Sequence, residues 1–509
     1  MFLNIQQSIE ELLAYGRSKG LLEEGDVEFA RNQLLYELGL DEADSELAVG
    51  SGSQTAAELL KPILNWAVLN EKIEQDTTLF RDLFDTKLMG HLTPWPSVVT
   101  DRFYKRYQEQ GPSVATKEFY QLAQDTHYIR MDRVALNESW ASHESYGELE
   151  ITINLSKPEL DPKDIEKAKQ SVASSYPDGL LHPENVGYAG RVNHPARQNL
   201  RQVPVELGEE KWLLQFSPYV YYHQHAIVLS KEKRPMQITK STFSRLLEFV
   251  DKFPHYFIGS NADLPIVGGS ILSHDHYQAG QHEFPMARAG SRWSFTLKGA
   301  PDVEASLLDW PMTVIRLRGK NRAHLEDAGA SVLHEWRNYS DEQTAIYSST
   351  DEELHNTITP IARFREGLFE LDLVLRNNRT TDEHPFGLFH PHLEVHPIKK
   401  ENIGLIEVMG LAILPGRLKN ELLELAEALT QDKRENDWNV DEKLTKHLGW
   451  VKQMDSTLFS SSPQENLQHL KEEVGHIFST ALSHCGVFKQ DEEAGLQAFQ
   501  RFISKVNEN

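Results

Sequence analysis

Apolar residues recur three and four apart through residues 2 to 90. "IQQSIEELLAYGRSKG" and "DVEFARNQLLYELG" each carry such a stripe and end at a glycine, and "AAELLKPILNWAVLN" and "DTTLFRDLFDTKLMG" continue it. That period predicts amphipathic helices with glycine at their C-caps. "EFYQLAQDTHYIRMDRVALN" reads as a helix running into a strand. From about residue 148 the texture changes. "ELEITINLS", "KWLLQFSPYVYY", "HAIVLS", "WSFTLKG", "MTVIRLRG" and "LFELDLVLRNN" are β-rich segments with turn residues between them. Helical signals return in "STFSRLLEFVDKFPHYF" and dominate from "RLKNELLELAEALTQ" onward. The pattern predicts an α+β fold with antiparallel sheet. Its central body, about 146 to 415, carries helical extensions at both ends.

Two polar stretches interrupt the β-rich body. In "SHDHYQ", His274, His276 and Gln278 stand at every second position after the apolar "LPIVGGSIL". In a strand all three side chains share one face, with Asp275 and Tyr277 on the other. "FHPHLEVHP" repeats the device with His390, His392, Glu394 and His396, about 116 residues further on. Two such strands suggest a duplicated half-domain. The expected division is 1–145 helical, 146–300 with the first histidine strand, 301–415 a second half, and 416–509 helical. Three chemistries suit His274, His276 and Gln278: metal binding, a hydrogen-bonded pair without function, or nucleophilic catalysis. A neutral imidazole can attack activated phosphorus. A Gln carboxamide two residues on donates to phosphoryl oxygens without protonating the nucleophile.

Composition narrows the choice. With 509 residues, 39% hydrophobic and 25% charged, the chain is ordinary for a soluble protein with more than one core. A formal charge of −24 opposes broad binding to nucleic acid or anionic membrane, because both would repel the chain. A phosphorylated small ligand remains open wherever arginines cluster. Cys485 is the single cysteine, which excludes an intrachain disulfide and a cysteine-based zinc motif. The N-terminus lacks the basic and apolar regions of a signal peptide, and no apolar run reaches the ~18 residues of a membrane helix. A cytoplasmic protein is expected.

"GGSILSHDHYQAGQ" resembles the active-site strand of galactose-1-phosphate uridylyltransferases, a branch of the histidine-triad superfamily. "YIRMDRVALN", "GYAGRVNHPARQN", "SPYVYYHQHAIVLS" and "HPHLEVHPIKKENIGLIEVMGLAILPGRL" extend the resemblance to the class II form, from about residue 15 to 440. It implies two histidine-triad-like halves. Triad hydrolases carry His-x-His-x-His, whereas Gln278 follows the transferase pattern. Carried over, His276 resembles the nucleophile that becomes uridylylated, His274 the neighbour that shapes the site, and Gln278 the group bonding the phosphoryl. Arg130 and Arg133 resemble an arginine pair that meets phosphate in class I. Arg191, Arg197 and Asn199 are further candidates for nucleotide or sugar phosphate. Backbone N–H groups around Asn261 and Gly268-Gly269-Ser270 can approach phosphate closely. Glu407, read as part of an apolar strand, is a candidate acceptor for a sugar hydroxyl.

The implied activity is UMP transfer from UDP-glucose to galactose 1-phosphate through a uridylyl-histidine, by a homodimer. The substrates are UDP-glucose, UDP-galactose and hexose 1-phosphates. The alternatives are a nucleotide hydrolase or phosphorylase of the same superfamily, or a nucleotide-sugar binding protein that holds a metal. Two departures stand out. Class I has proline where this chain has Asp275. Its zinc-binding Cys-x-x-Cys is replaced here by Gly179 and His182. No cofactor is therefore required by the sequence. A structural metal would have His390, His392 and His396 as candidate ligands, or a regrouping of His182, His223, His225 and His274.

Overall fold

The computed structural model describes residues 4–44, 47, 54–156, 174–269, 271–431 and 442–508; Ser270 lies outside the described residues. They form two compact units, Met1–Leu136 with Ser156–Lys233 and Asn137–Leu155 with Arg234–Asn509. In chain order the strands are β1 (Glu138–Glu144), β2 (Gly147–Asn154), β3 (Val203–Leu207), β4 (Glu210–Phe216), β5 (Ala226–Ser230), β6 (Phe257–Gly259), β7 (His276–Gly280) and β8 (Ser291–Phe295). There follow β9 (Glu304–Leu308), β10 (Val314–Gly319), β11 (Ser349–Thr350), β12 (Glu353–Leu354), β13 (Asn356–Arg365), β14 (Leu368–Asn377) and β15 (Leu411–Pro415).

In the first unit the helical period becomes helices Ile5–Ser18, Val27–Leu38, Ala56–Leu69 and Thr78–Leu92. Their apolar stripes close on one core, where Leu12, Leu38, Leu88 and Met89 lose all solvent contact. Thr55 and Glu58 form a capping box at the start of Ala56–Leu69, which satisfies donors that the first turn leaves unpaired. β3, β4 and β5 make antiparallel pairs. The strand expected after Asp125 does not form. A helical turn, Met131–Val134, stands there instead, held by the aspartate pairs described below.

In the second unit the strands run in the order β7-β6-β13-β14-β10-β9-β8, antiparallel at every step. Cross-strand partners point to the same face, so the register defines both surfaces. Ala279, Ile258, Ala362, Leu371, Leu317 and Ala305 form one row. Helices Lys240–Lys252 and Arg322–Asn338 pack against strands of this sheet, burying Phe243, Leu247, Val332 and Trp336. Gln278, Gly259, Ile361, Asp372, Arg316 and Ser306 form the matching row of the opposite face. A smaller sheet has the order β1-β2-β15, with β15 parallel to β2. The C-terminal helices Pro463–Cys485 and Glu493–Val506 belong to this unit. Phe502 meets Trp336 edge-on at 5.5 Å.

Two segments depart from the expected strands. "FHPHLEVHP" contains only a 3-10 turn, Leu393–Val395. Pro391 and Pro397 flank it, and proline cannot donate to a sheet ladder. "IGLIEVMGLAIL" splits into a one-turn helix, Leu405–Val408, and β15. The break falls at Gly410, whose φ of 100° disfavours any side chain; a Cβ there would also meet Pro285 and Trp310 below 3.0 Å.

Candidate active site

β7 begins at His276, so His274 precedes the strand. His276 and Gln278 keep the alternation expected of them; Gln278 lies opposite Gly259. His276 is buried, and its Nδ1 lies 2.8 Å from the carbonyl oxygen of His274. A carbonyl only accepts, so Nδ1 carries the proton and Nε2 keeps its lone pair. Burial pushes the His276 pKa below the ordinary 6.5, against the opposing hydrogen bond to His274. The imidazole is therefore neutral at pH 7, the state a nitrogen nucleophile needs.

Asp275 turns the other way. Its N–H donates to the Arg234 carbonyl at 2.8 Å, and its Oδ2 accepts from Arg234 Nε at 3.1 Å. Burial pushes the neighbouring Tyr277 hydroxyl pKa up, and the Asp275 charge adds to it. The peptide between the two histidines is thus tied at backbone and side chain. Sequence reasoning missed Arg234, because an arginine 41 positions away leaves no local signature.

Asn261, the glycine pair and Glu407 come together within the same unit. A Cβ on Gly268 would meet two carbonyl oxygens, at 2.5 and 2.6 Å, and one on Gly269 would meet the Asn261 carboxamide at 2.7 Å. Only glycine permits this approach. Asn261 Oδ1 accepts from the Leu405 N–H at 2.9 Å, tying it to the helical turn that carries Glu407. Glu407 is not on a strand, as the sequence suggested. Its Oε1 accepts from the buried Lys399 Nζ at 2.9 Å and its Oε2 from the Gly404 N–H at 3.2 Å. Lys399 is thus a second partner that the sequence did not announce.

The arginine candidates fall in the first unit. Arg130 forks onto Asp85 with two bonds of 2.7 Å, and Arg133 onto Asp82 with bonds of 2.8 and 2.5 Å. Both aspartates project from helix Thr78–Leu92 three residues apart, matching the R-x-x-R spacing on the facing turn. Burial, then the Arg130 charge, pushes the adjacent His127 pKa to about 3. Arg191 donates to Asn193, the Tyr176 carbonyl and the Tyr188 hydroxyl. The Arg197 guanidinium lies over the Tyr128 ring at 5.6 Å and donates to the Ala196 carbonyl at 3.1 Å. Asn199 is buried and donates to the Thr126 carbonyl at 2.9 Å.

His390, His392 and His396 do not converge. His390 faces the Pro391 carbonyl and Asn402, and His396 Nε2 faces the Pro391 carbonyl. Among the described residues one histidine-carboxylate group has ligand atoms within 4.8 Å of one another: His392, Glu394 and His484. Yet the His392 and His484 rings stack at 4.1 Å and 17°. Lone pairs lying in nearly parallel planes do not meet at one ion, so this set does not fit a metal as arranged. His484 Nδ1 instead accepts the His392 N–H at 3.2 Å.

The family described as "Galactose-1-phosphate uridyl transferase, N-terminal domain" matches residues 22–235, and its C-terminal domain matches residues 248–447. The chain belongs to the galactose-1-phosphate uridylyltransferase family. The enzyme of that name from Halalkalibacterium halodurans is 55% identical over 99% of both chains. The one from Bacillus subtilis is 51% identical over 99% of this chain and 98% of its own. A third, from Clostridium acetobutylicum, is 49% identical over 98% of this chain and 99% of its own. The family's C-terminal part takes in His274, His276 and Gln278, and its N-terminal part the arginine candidates. No helix among the described residues is long and apolar enough to cross a membrane.

Proposed function

We propose that this chain moves UMP from UDP-glucose to galactose 1-phosphate, with His276 as the nucleophile. Nε2 attacks the α-phosphorus of UDP-glucose, the P–N bond forms, and the bond to the departing glucose 1-phosphate oxygen breaks. A phosphate oxygen of galactose 1-phosphate then attacks the same phosphorus, giving UDP-galactose and free His276. The observation that carries this reading is the buried, neutral His276, whose Nδ1–H is held by the His274 carbonyl so that Nε2 is the free nitrogen. The amide of Gln278 would donate to the transferred phosphoryl oxygens, a charge-stabilising role that needs no proton transfer.

Arg191 and Arg197 are the proposed phosphate contacts of the first unit, since their guanidiniums donate to carbonyl, amide and hydroxyl oxygens and not to carboxylates. Arg130 and Arg133 would have to exchange aspartate for phosphate. The chain is further proposed to act in the cytoplasm as a homodimer, without a required cofactor. Turnover after chelation, together with a solution mass near twice 58.2 kDa, checks the last two points.

Labelled glucose 1-phosphate should exchange into UDP-glucose without galactose 1-phosphate, and initial-rate lines should be parallel. His276→Ala should abolish exchange and the covalent uridylyl adduct together. Intersecting lines without exchange would refute the covalent route, and UMP release without an acceptor would favour a hydrolase.

A further inference from the structure

Away from β7 the polar face of the main sheet ends in an arginine-walled cavity. It has a volume of about 610 Å³ and is lined by Arg316, Arg318 and Arg365 together with hydroxyls of β8, β9 and the turn after β8. Row by row, Arg316 stands four strand steps from Gln278. At ~4.8 Å a step this is roughly 19 Å. That separation sets the cavity apart from the phosphorus held at His276.

Among the buried groups of the wall, guanidiniums outnumber carboxylates, while exposed acids, Asp302 and Glu304 of the lining included, stand around them. Asp372 and Glu370 are fully buried. Asp372 accepts from Arg316 and Arg363; Glu370 pairs with Arg318, Arg363 and Arg365. Four guanidiniums thus share two buried carboxylates. The remaining acidic partners, Glu304, Glu366 and Glu283, are 71%, 73% and 60% exposed, and such solvated pairs hold little. Asp302, on the rim, is taken by His324. The Nε–H of Arg365 is buried without a hydrogen-bond partner. Beside the arginines, Ser291, Ser294 and Ser306 line the cavity; the Ser291 and Ser294 hydroxyls lie 3.3 Å apart. Arginine forks suit phosphoryl oxygens, and hydroxyls suit sugar or phosphate oxygens.

We propose that this cavity binds a small phosphorylated ligand, a second anion site separate from the transferred nucleotide. The volume lies within the range of small-molecule sites. The chain's −24 charge does not forbid it, because charges beyond a Debye length of ~8 Å are largely screened in physiological salt.

Pyrophosphate serves as the probe, titrated into the full chain by calorimetry with and without saturating UMP. Binding should persist with UMP present. Arg318→Gln with Arg365→Gln should weaken it about 10- to 100-fold, as expected for loss of two charge-assisted contacts, while uridylyl exchange is kept. Should that double variant misfold, Ser294→Asp decides: Ser294 is exposed at the mouth, and its new carboxylate should weaken binding at least tenfold with no change in melting temperature. Competition of pyrophosphate with UMP, binding unchanged in the folded variants, or no binding below 10 mM would each overturn the site. None of these results bears on His276, so this site and the transfer chemistry fail independently.

Discussion

The tie between Asp275 and Arg234 predicts an effect that strand alternation alone does not. Asp275→Ala removes a charge-assisted hydrogen bond of 3.1 Å whose acceptor side chain is 7% exposed. Such bonds contribute ~1.5–3 kcal/mol. The bond fixes the peptide whose preceding carbonyl holds His276 Nδ1–H. If that energy serves to hold the imidazole in register, the uridylylation rate falls ~10- to 150-fold. Asp275→Asn keeps an oxygen toward Arg234 and should lose only severalfold. Arg234→Met strands a buried carboxylate, at the low end of ~3–5 kcal/mol because the guanidinium is partly solvated. It should therefore lower the melting temperature more than Asp275→Ala does. Rapid-quench measurement of the uridylyl-enzyme burst, beside thermal melts, separates the two effects. A wild-type burst rate in folded Asp275→Ala would refute positioning through this tie. Greater loss in Asp275→Asn than in Asp275→Ala would do the same.

Because the His276 pKa is lowered, the imidazole stays neutral as pH falls through 6.5; the acid limb of kcat/KM for the first half-reaction should lie below that value. Gln278→Ala should cost ~10²–10³-fold in transfer, the range for one transition-state donor, with the covalent adduct still detectable. Lys399→Met should impair folding or raise the KM for hexose phosphate, since the Glu407 carboxylate loses its buried cation; equal melting temperature and kinetics would remove Glu407 from the site. Burial alone would raise the Asp372 carboxyl, but Arg316 and Arg363 outweigh it and hold it at about 2. Its stabilisation is complete above the ordinary ~3.9 and is lost as pH falls toward 2. Asp372→Asn should destabilise the fold by ~3–5 kcal/mol at neutral pH, read by chemical denaturation.

The sequence by itself determined what depends on near neighbours. Period 3.6 placed the N-terminal helices, and period 2 placed β10, β14 and the face shared by His276 and Gln278, whereas Arg130 and Arg133, read on a strand, sit at a helical turn. The order of motifs was enough to recognise the family. Tertiary structure decided everything that joins residues distant along the chain. Alternating histidines at 390–396 look like a strand, yet two prolines deny them a ladder and three of the imidazoles take carbonyl partners. Glu407 reads as an unpaired acid in an apolar run until Lys399 folds back onto it. Arg234 meets Asp275, and Asp85 meets Arg130, across 41 and 45 positions. The arginine wall emerges only when the strands align in register. Local steric and hydrophobic preferences are written residue by residue, whereas pairing of buried charge depends on which chain segments the fold brings within a few ångströms.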